Sequence, residues 1–327
     1  MNEIIYFMNF QIRIIRYQAQ YQMLWNQFVA QAENATFLFD RNFMDYHADR
    51  FTDHSLILFA DNELLAILPA NEKDDTIYSH QGLTYGGLAF RKTANFTREI
   101  FQVCLSSILK YYREQEFKTL IYKEIPFFYQ TSNVGKISFS NESASLFQKD
   151  TGAVIDLQSN FHFSYLRKRS IKKAKGNKLS IIESIENQIV ELKTFWEKLL
   201  VPNLRNKYSL QPTHTIEEIT LLASRFPQNI KFYAVYGQNE MLAGTVVFED
   251  RQVAHCQYIA SNDLGKEIKA TDLLFNFLIK EVYQNFRYFS FGISNWHGTD
   301  KINEGLLAWK QSWGAKICTH FHYKINM

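Results

Sequence analysis

The sequence predicts a mixed α/β protein made of two similar lobes, and three observations predict it. The chain has 327 residues, enough for two ordinary cores of roughly 100 to 200 residues each. Its C-terminal half reads strand, strand, strand, helix, strand, helix, strand. Its N-terminal half repeats much of that order. In the second half, residues 231–237, 240–249 and 251–261 are β-rich runs separated by the turn signals Gln238-Asn239 and Asp250, the pattern of an antiparallel meander. Leu273, Leu274, Phe277, Leu278 and Val282 then recur on one helical face, with Thr271 and Asp272 suited to its start. A strand over 287–293, a short helix over 303–313 stopped by Gly314, and a last strand over 316–324 complete the order.

In the first half, a strand over 12–15 precedes a helical stripe of Tyr21, Leu24, Trp25, Phe28 and Val29. Strand-like runs at 55–60, 64–70 and 76–80 follow, then a helix over 96–115 and a strand over 119–123. Asn62-Glu63-Leu64-Leu65-Ala66 parallels Asn239-Glu240-Met241-Leu242-Ala243 at the same place in the order, as expected of a duplicated unit. The lobes are therefore drawn as 1–150 and 151–327, joined near residues 149–153.

Composition narrows the class. Hydrophobic residues make up 46% and charged residues 21%, which excludes a disordered chain. Lys and Arg number 36 against 33 Asp and Glu, a net charge of +3, so any anion site must be local. Three widely spaced cysteines with no CxxC pair support neither a disulfide framework nor a cysteine-rich zinc site, and fit a reducing, cytoplasmic setting. His320 and His322 share a strand face without a third ligand, so no metal is expected. The apolar N-terminal run ends in no small-residue cleavage site, and no stretch approaches the roughly 20 apolar residues of a membrane helix. A soluble protein is expected, one that at most touches the inner membrane face.

Several stretches resemble the FemAB-like branch of the GNAT acyltransferase superfamily. Phe291-Gly292-Ile293-Ser294, Asn303-Glu304-Gly305-Leu306-Leu307, Trp309-Lys310 and Trp313-Gly314-Ala315 follow that branch's order of a strand ending in Phe-Gly, an Asn-x-Gly-Leu turn and an aromatic-Lys helix before a Gly-Ala corner. LRKRSIKKAKGNKL at 166–179 is similar to the basic helix opening the family's second lobe. SHQGLTYGG at 79–87 is similar to a first-lobe loop ending in Tyr-Gly-Gly. The resemblance implies tandem GNAT-like lobes, each a mostly antiparallel mixed sheet flanked by helices. It implies acceptor binding by the first lobe, the acyl donor on the second, and transfer of an acyl or aminoacyl group to an amine.

In such a fold the donor's pyrophosphate is expected at the start of the helix after the meander, here 264–272. Gly265, Lys266, Lys269, Ala270 and Thr271 are the candidate contacts, with Lys310 as a further cation. Acyl-CoA is the expected donor and aminoacyl-tRNA stands second. The usual Q/R-x-x-G-x-G/A run is stretched, and an ordinary solvated loop with two lysines is the other reading. The splayed third strand near 257–259 offers backbone N–H groups for an oxyanion, with Tyr258 as acid toward the leaving group and Glu304 as base or amine ligand. Against these stand a core strand tyrosine, a helix-starting glutamate, and a Lys310 that covers an apolar face with its stem.

The basic run holds seven cations within 167–178, read either as a solvated face or, with Arg167 foremost, as a clamp for a phosphate-bearing acceptor or for RNA. In the loop at 79–87, His80, Tyr85, Gly86 and Gly87 suit a sugar hydroxyl site or a tight structural turn. The function expected is N-acyl transfer to an amino sugar or a cell-envelope polysaccharide precursor. Its rival is a non-catalytic binding protein that docks on an anionic polymer or membrane surface.

Overall fold

The computed structural model describes residues 11–91, 97–130, 143–183 and 188–327. The N-terminal apolar run, and Phe96 at the start of the expected helix, lie outside the described residues. The chain divides into two compact units. Unit 1 is Met1–Lys149 with His320–Met327, and unit 2 is Asp150–Thr319.

Unit 1 holds β1 (Ile12–Arg16), α1 (Gln22–Gln31), α2 (Arg41–Met44), β2 (Thr52–Asp53), β3 (Leu56–Ala60), β4 (Glu63–Leu68), β5 (Asn71–Lys73), β6 (Thr76–Tyr78), β7 (Ala89–Phe90), α3 (Arg98–Arg113) and β8 (Thr119–Lys123). One sheet has the order β1-β3-β4-β7; β8, β6, β5 and β2 are consecutive neighbours in another ladder. Thr97 caps α3 through the Ile100 N–H, and Phe101, Cys104, Leu105, Ile108 and Tyr112 form the stripe that packs on Leu56, Leu58 and Leu68.

The strand β9 (Ala144–Asp156) runs through the point where the sequence places a joint, so the chain passes into unit 2 as a strand rather than a linker. Unit 2 continues with α4 (Tyr165–Lys175), β10 (Ser180–Glu183), α5 (Gln188–Phe195), a π-helical turn Trp196–Leu200, α6 (Val201–Tyr208) and α7 (Ile216–Arg225). Then come β11 (Ile230–Gly237), β12 (Glu240–Asp250), β13 (Val253–Ser261), α8 (Asp263–Ile268), α9 (Ala270–Phe277) with a π-helical extension Leu278–Val282, β14 (Tyr288–Ile293) and α10 (Glu304–Gln311); β15 (Lys316–Asn326) starts in unit 2 and belongs to unit 1 from His320 onward. The strand order is β10-β11-β12-β13-β14-β9. The meander is antiparallel, β13 pairs β14 in parallel, and β14 pairs β9 antiparallel. One core lies where Val247, Cys256, Leu274, Phe275, Phe289, Leu307 and Trp313 meet. On the other side, Phe195 packs on Phe232 and Trp196 on Tyr258.

The repeated pentapeptides mark one device used twice. In the β3–β4 hairpin Leu58 faces Ala66 and Phe59 faces Leu64, leaving Leu65 as the extra residue. In β11–β12, Val235 faces Ala243 and Tyr236 faces Met241, leaving Leu242 extra. Each bulge sits at the fourth position of its motif, and each hairpin turns through left-handed residues, Asp61 in one and Gln238-Asn239 in the other.

The expected donor loop departs from the reading of 264–272 as a loop. Most of it is helical: Asn262 caps α8 by accepting from the Gly265 N–H at 2.7 Å, and the chain breaks once, at Lys269 with φ +68°, before α9 begins at Ala270. Thr271 lies inside the helix rather than capping it.

A candidate active site where two strands part

The parallel ladder of β13 and β14 is short. Val253, Ala254 and His255 pair with Tyr288, Phe289 and Ser290, and beyond them both strands continue unpaired with one another. A bulge lies on each side of this parting. β12 pairs Val246 with Tyr258 and Val247 with Cys256, so Gln257 is skipped. β14 shifts register against β9 between Ser290 and Ile293, around Gly292 with φ +67°. Bulges bend strands and re-aim side chains. Here the first turns Tyr258 toward Trp196, while Cys256 and Ile259 keep to the α9 core. The resemblance implies a splayed third strand near 257–259, and β13 leaves β14 just before it, after His255.

Lys310 enters the parting from α10. It is 2% exposed, and its Nζ donates to the carbonyls of Gly292 at 3.0 Å and Ile293 at 2.5 Å. Burial pulls its pKa down to about 7, against smaller opposing contributions from the Cys256 and Cys318 sulfurs. A neutral amine has two N–H groups and one lone pair. With both N–H groups held by carbonyls, the lone pair is the part left to accept a proton. Lys310 thus neither projects from the surface toward an anion nor only covers an apolar face. Beside it, Ser294 is fully buried, and its hydroxyl has no hydrogen-bond partner among the described residues. An orphaned buried hydroxyl of this kind calls for a physical reason.

On the other face, the Tyr258 hydroxyl lies 2.6 Å from His214 Nδ1 and accepts the His214 backbone N–H at 3.2 Å. The Thr215–Glu218 capping box fixes the chain just after His214 and so sets that ring in place. The Trp196 ring packs edge-on at 4.8 Å, and its Nε1 is buried without a partner among the described residues. Trp196 opens the π-helical turn, a feature frequent at functional sites. The sequence reading missed His214 and Trp196. The Thr-x-x-Glu capping signal after His214 was legible; a π turn leaves no such mark.

The cysteines offer no nucleophile. All three are buried and free, and burial pushes Cys318 up to about 11, Cys104 up to about 12 and Cys256 higher still.

The other sequence candidates are spread through both units. Glu304 is the exposed first residue of α10, whose start is capped by Asn303 accepting from the Leu306 N–H; it serves the helix end. Gly265 is required by packing, since a Cβ there would lie 2.2 Å from the Leu242 carbonyl oxygen. Lys266 pairs with Asp263, Lys269 takes the left-handed corner, Ala270 is fully buried, and Thr271 follows on α9. Arg167 is occupied internally: its guanidinium pairs with Asp272, donates twice to Ser312 Oγ and lies 4.8 Å over Trp313, tying α4, α9 and the end of α10 together.

In unit 1, Gly86 and Gly87 are demanded by backbone crowding. A Cβ on Gly86 would sit 1.7 Å from the Ser79 carbonyl oxygen, and Gly87 has φ +91° beside the Lys123 carbonyl. The Tyr85 hydroxyl is 2.6 Å from Thr36 Oγ1, and His80 is buried at φ +69° against His47 and Phe51. Burial, then the charges of His47, Lys123 and Arg41, hold the His80 pKa well below the usual histidine range. These four belong to a packed interior rather than to an open sugar site.

No family model matches the sequence and no curated protein matches it. Solved structures do. FemX is 11% identical with a TM-score of 0.63, over 94% of this chain and 96% of FemX. A conserved protein of unknown function from Bacteroides thetaiotaomicron is 9% identical at a TM-score of 0.62, over 97% of this chain and all of that one. The structure of L-PGS from Bacillus licheniformis is 12% identical at 0.52, over 84% of this chain and 83% of that one. At these identities the likeness is one of fold: the chain shares the fold of FemX.

Proposed function

We propose that the protein transfers an acyl or aminoacyl group to an amine, with unit 2 carrying the chemistry. The observation that carries this reading is the Lys310 amine, buried where β13 and β14 part and held near a pKa of 7. The acceptor reaches the site as an ammonium and must lose a proton before it can attack. In the proposed step Lys310, neutral above about pH 7, takes that proton. The amine nitrogen then bonds to the donor carbonyl carbon, and the oxyanion forms against backbone N–H groups at the Gln257 bulge. The carbon–sulfur or carbon–oxygen bond to the carrier breaks as the carbonyl re-forms. Tyr258, backed by His214, gives its proton to the leaving group and takes the second proton from the attacking nitrogen in its place.

No covalent enzyme intermediate is needed, which suits three buried, protonated thiols. The acceptor class favoured is an amino sugar or another amine-bearing envelope precursor, in keeping with a fold shared with FemX and L-PGS. Acyl-CoA and aminoacyl-tRNA are the donor candidates, with the α8–α9 corner as the proposed carrier contact. Mass spectrometry of the donor that co-purifies, followed by single-turnover transfer to glucosamine-type acceptors, tests the reading. Transfer abolished in Lys310→Met supports it. Full transfer by that variant, or no response of the melting temperature to any acyl or aminoacyl donor, sinks it.

A further inference from the structure

The helix α4 carries an outward face that the transfer chemistry does not use. Ile171 and Ala174 bury one side of it, Arg167 is tied to Asp272, and Lys173 donates to the Glu267 carbonyl. Directly opposite, Tyr165, Arg169 and Lys172 stand at i, i+4 and i+7 on one exposed line, flanked by Lys168 and Lys175. None of these four cations has an ion pair among the described residues. At the N-terminal end of the same face, Tyr165 is 78% and Leu166 70% exposed, among the most exposed large apolar side chains described.

We propose that this face of α4 docks on an anionic membrane surface, with Tyr165 and Leu166 entering the headgroup layer and the cations resting on lipid phosphates. Two features of this face favour lipid over a nucleic acid. Unpaired cations on one helix face answer any polyanion, but an adjacent exposed aliphatic gains only where there are acyl chains to meet it. A tyrosine beside it has the amphipathic ring that settles at such interfaces. The orientation follows from packing, because the buried Ile171–Ala174 side leaves no alternative outward face. The proposal does not depend on acyl transfer and stands or falls separately from it.

The test is co-sedimentation of the full chain with vesicles of phosphatidylcholine alone and with about 30% phosphatidylglycerol, each surface cation being worth about fivefold in partitioning. Binding is expected to the anionic vesicles only and to weaken with salt. Lys168→Glu/Arg169→Glu/Lys172→Glu should lower it at least about a hundredfold, and the milder glutamine triple variant by less. Tyr165→Ser/Leu166→Ser should lower it about tenfold or more at unchanged salt sensitivity, since burying such side chains contributes strongly to interfacial binding. All these side chains are exposed, and an unchanged melting temperature checks that each variant is folded. Failure to bind anionic vesicles, binding that survives the charge reversal or ignores the Tyr165/Leu166 change, or salt-sensitive binding to an RNA duplex without vesicle binding overturns the proposal.

Discussion

Both units hold a lysine amine against backbone carbonyls, half-buried in unit 1 and fully buried in unit 2, and only the second lies beside an opening in its sheet. In unit 1, Lys123 Nζ donates to the His80 and Leu83 carbonyls, and Arg41 lies between Tyr17 and Trp25 with Asp53 as its ion-pair partner. Glycines close the chain tightly around this arrangement. In unit 2, Lys310 makes the same kind of contacts, but beside two strands that have stopped pairing and two bulges that turn their groups aside. On the proposed reading, a lysine amine is structural where the backbone closes over it and acts on substrate where the sheet opens next to it.

The strongest way to break this comparison is Lys310→Met, which should cost transfer about a thousandfold, within the range of a lost general base. Its stability signature is separate. Burial lowers the folded pKa to about 7 from the ordinary lysine value of 10.5, so the fold carries the full penalty of a buried cation below pH 7. That penalty lifts as the pH rises, because the unfolded chain then binds the extra proton. Between pH 7 and 9 the wild type should gain roughly 2 kcal/mol from this group. Denaturant titrations at both pH values should show that increment lost in Lys310→Met. An identical pH slope in the two proteins would remove Lys310 as the titrating group.

Next in size is Gly86→Ala in unit 1. Its new Cβ meets the Ser79 carbonyl oxygen at 1.7 Å, a backbone atom that cannot step aside. A cost of about 3 kcal/mol or more is expected. Gly82→Ala is the control, for there the Cβ meets the His47 ring, the far end of a side chain, at 2.0 Å. If Gly82→Ala costs as much in thermal or urea unfolding, crowding by backbone is not what sets the glycine requirement.

Arg167→Met in unit 2 should cost a comparable amount, about 3 kcal/mol, by leaving Asp272 buried without its partner. Its transfer rate at saturating acceptor should hold once the stability loss is offset by assay temperature. A rise in acceptor KM with unchanged melting would return Arg167 to the substrate. Tyr258→Phe is smaller in stability, about 1 to 2 kcal/mol from the orphaned His214 Nδ1. It should lower transfer about tenfold to a hundredfold, and less for donors whose leaving group is already acidic. Equal losses for all donors would make Tyr258 a packing residue.

How far the sequence reveals these features follows from the range of each interaction. Periodicity is local, and it located β11, β12, β13, β14, α3 and α10 to within a few residues, along with the twinned hairpins. Lys310 stood out through motif order, as an anion contact, and Tyr258 through its place on the third strand of the meander. Their partners did not: Gly292 and Ile293 reach Lys310 through a register shift, and His214 reaches Tyr258 from a loop 44 residues away in the chain. The loop at 79–87 misled because glycine next to His and Tyr reads alike whether the crowding neighbour is a ligand or the protein's own backbone. At the donor corner only the helical form stayed hidden, because a glycine inside a short helix reads like a glycine in a phosphate loop.

The least disruptive change, Lys266→Glu with Lys269→Glu, tests that corner. Lys266 is exposed and paired with an exposed Asp263, and Lys269 sits at the break between two helices, so the melting temperature should not move. Two reversed charges at the proposed carrier contact should weaken acyl-CoA binding about tenfold. Calorimetric titration of both proteins with acetyl-CoA measures the difference, and repeating it at high salt should shrink it, since exposed charges are screened. An unchanged Kd would move the donor's phosphates away from α8 and α9. On the proposed reading the carrier would then lie elsewhere along the opening between β13 and β14, with the Gln257 bulge still marking where the carbonyl sits.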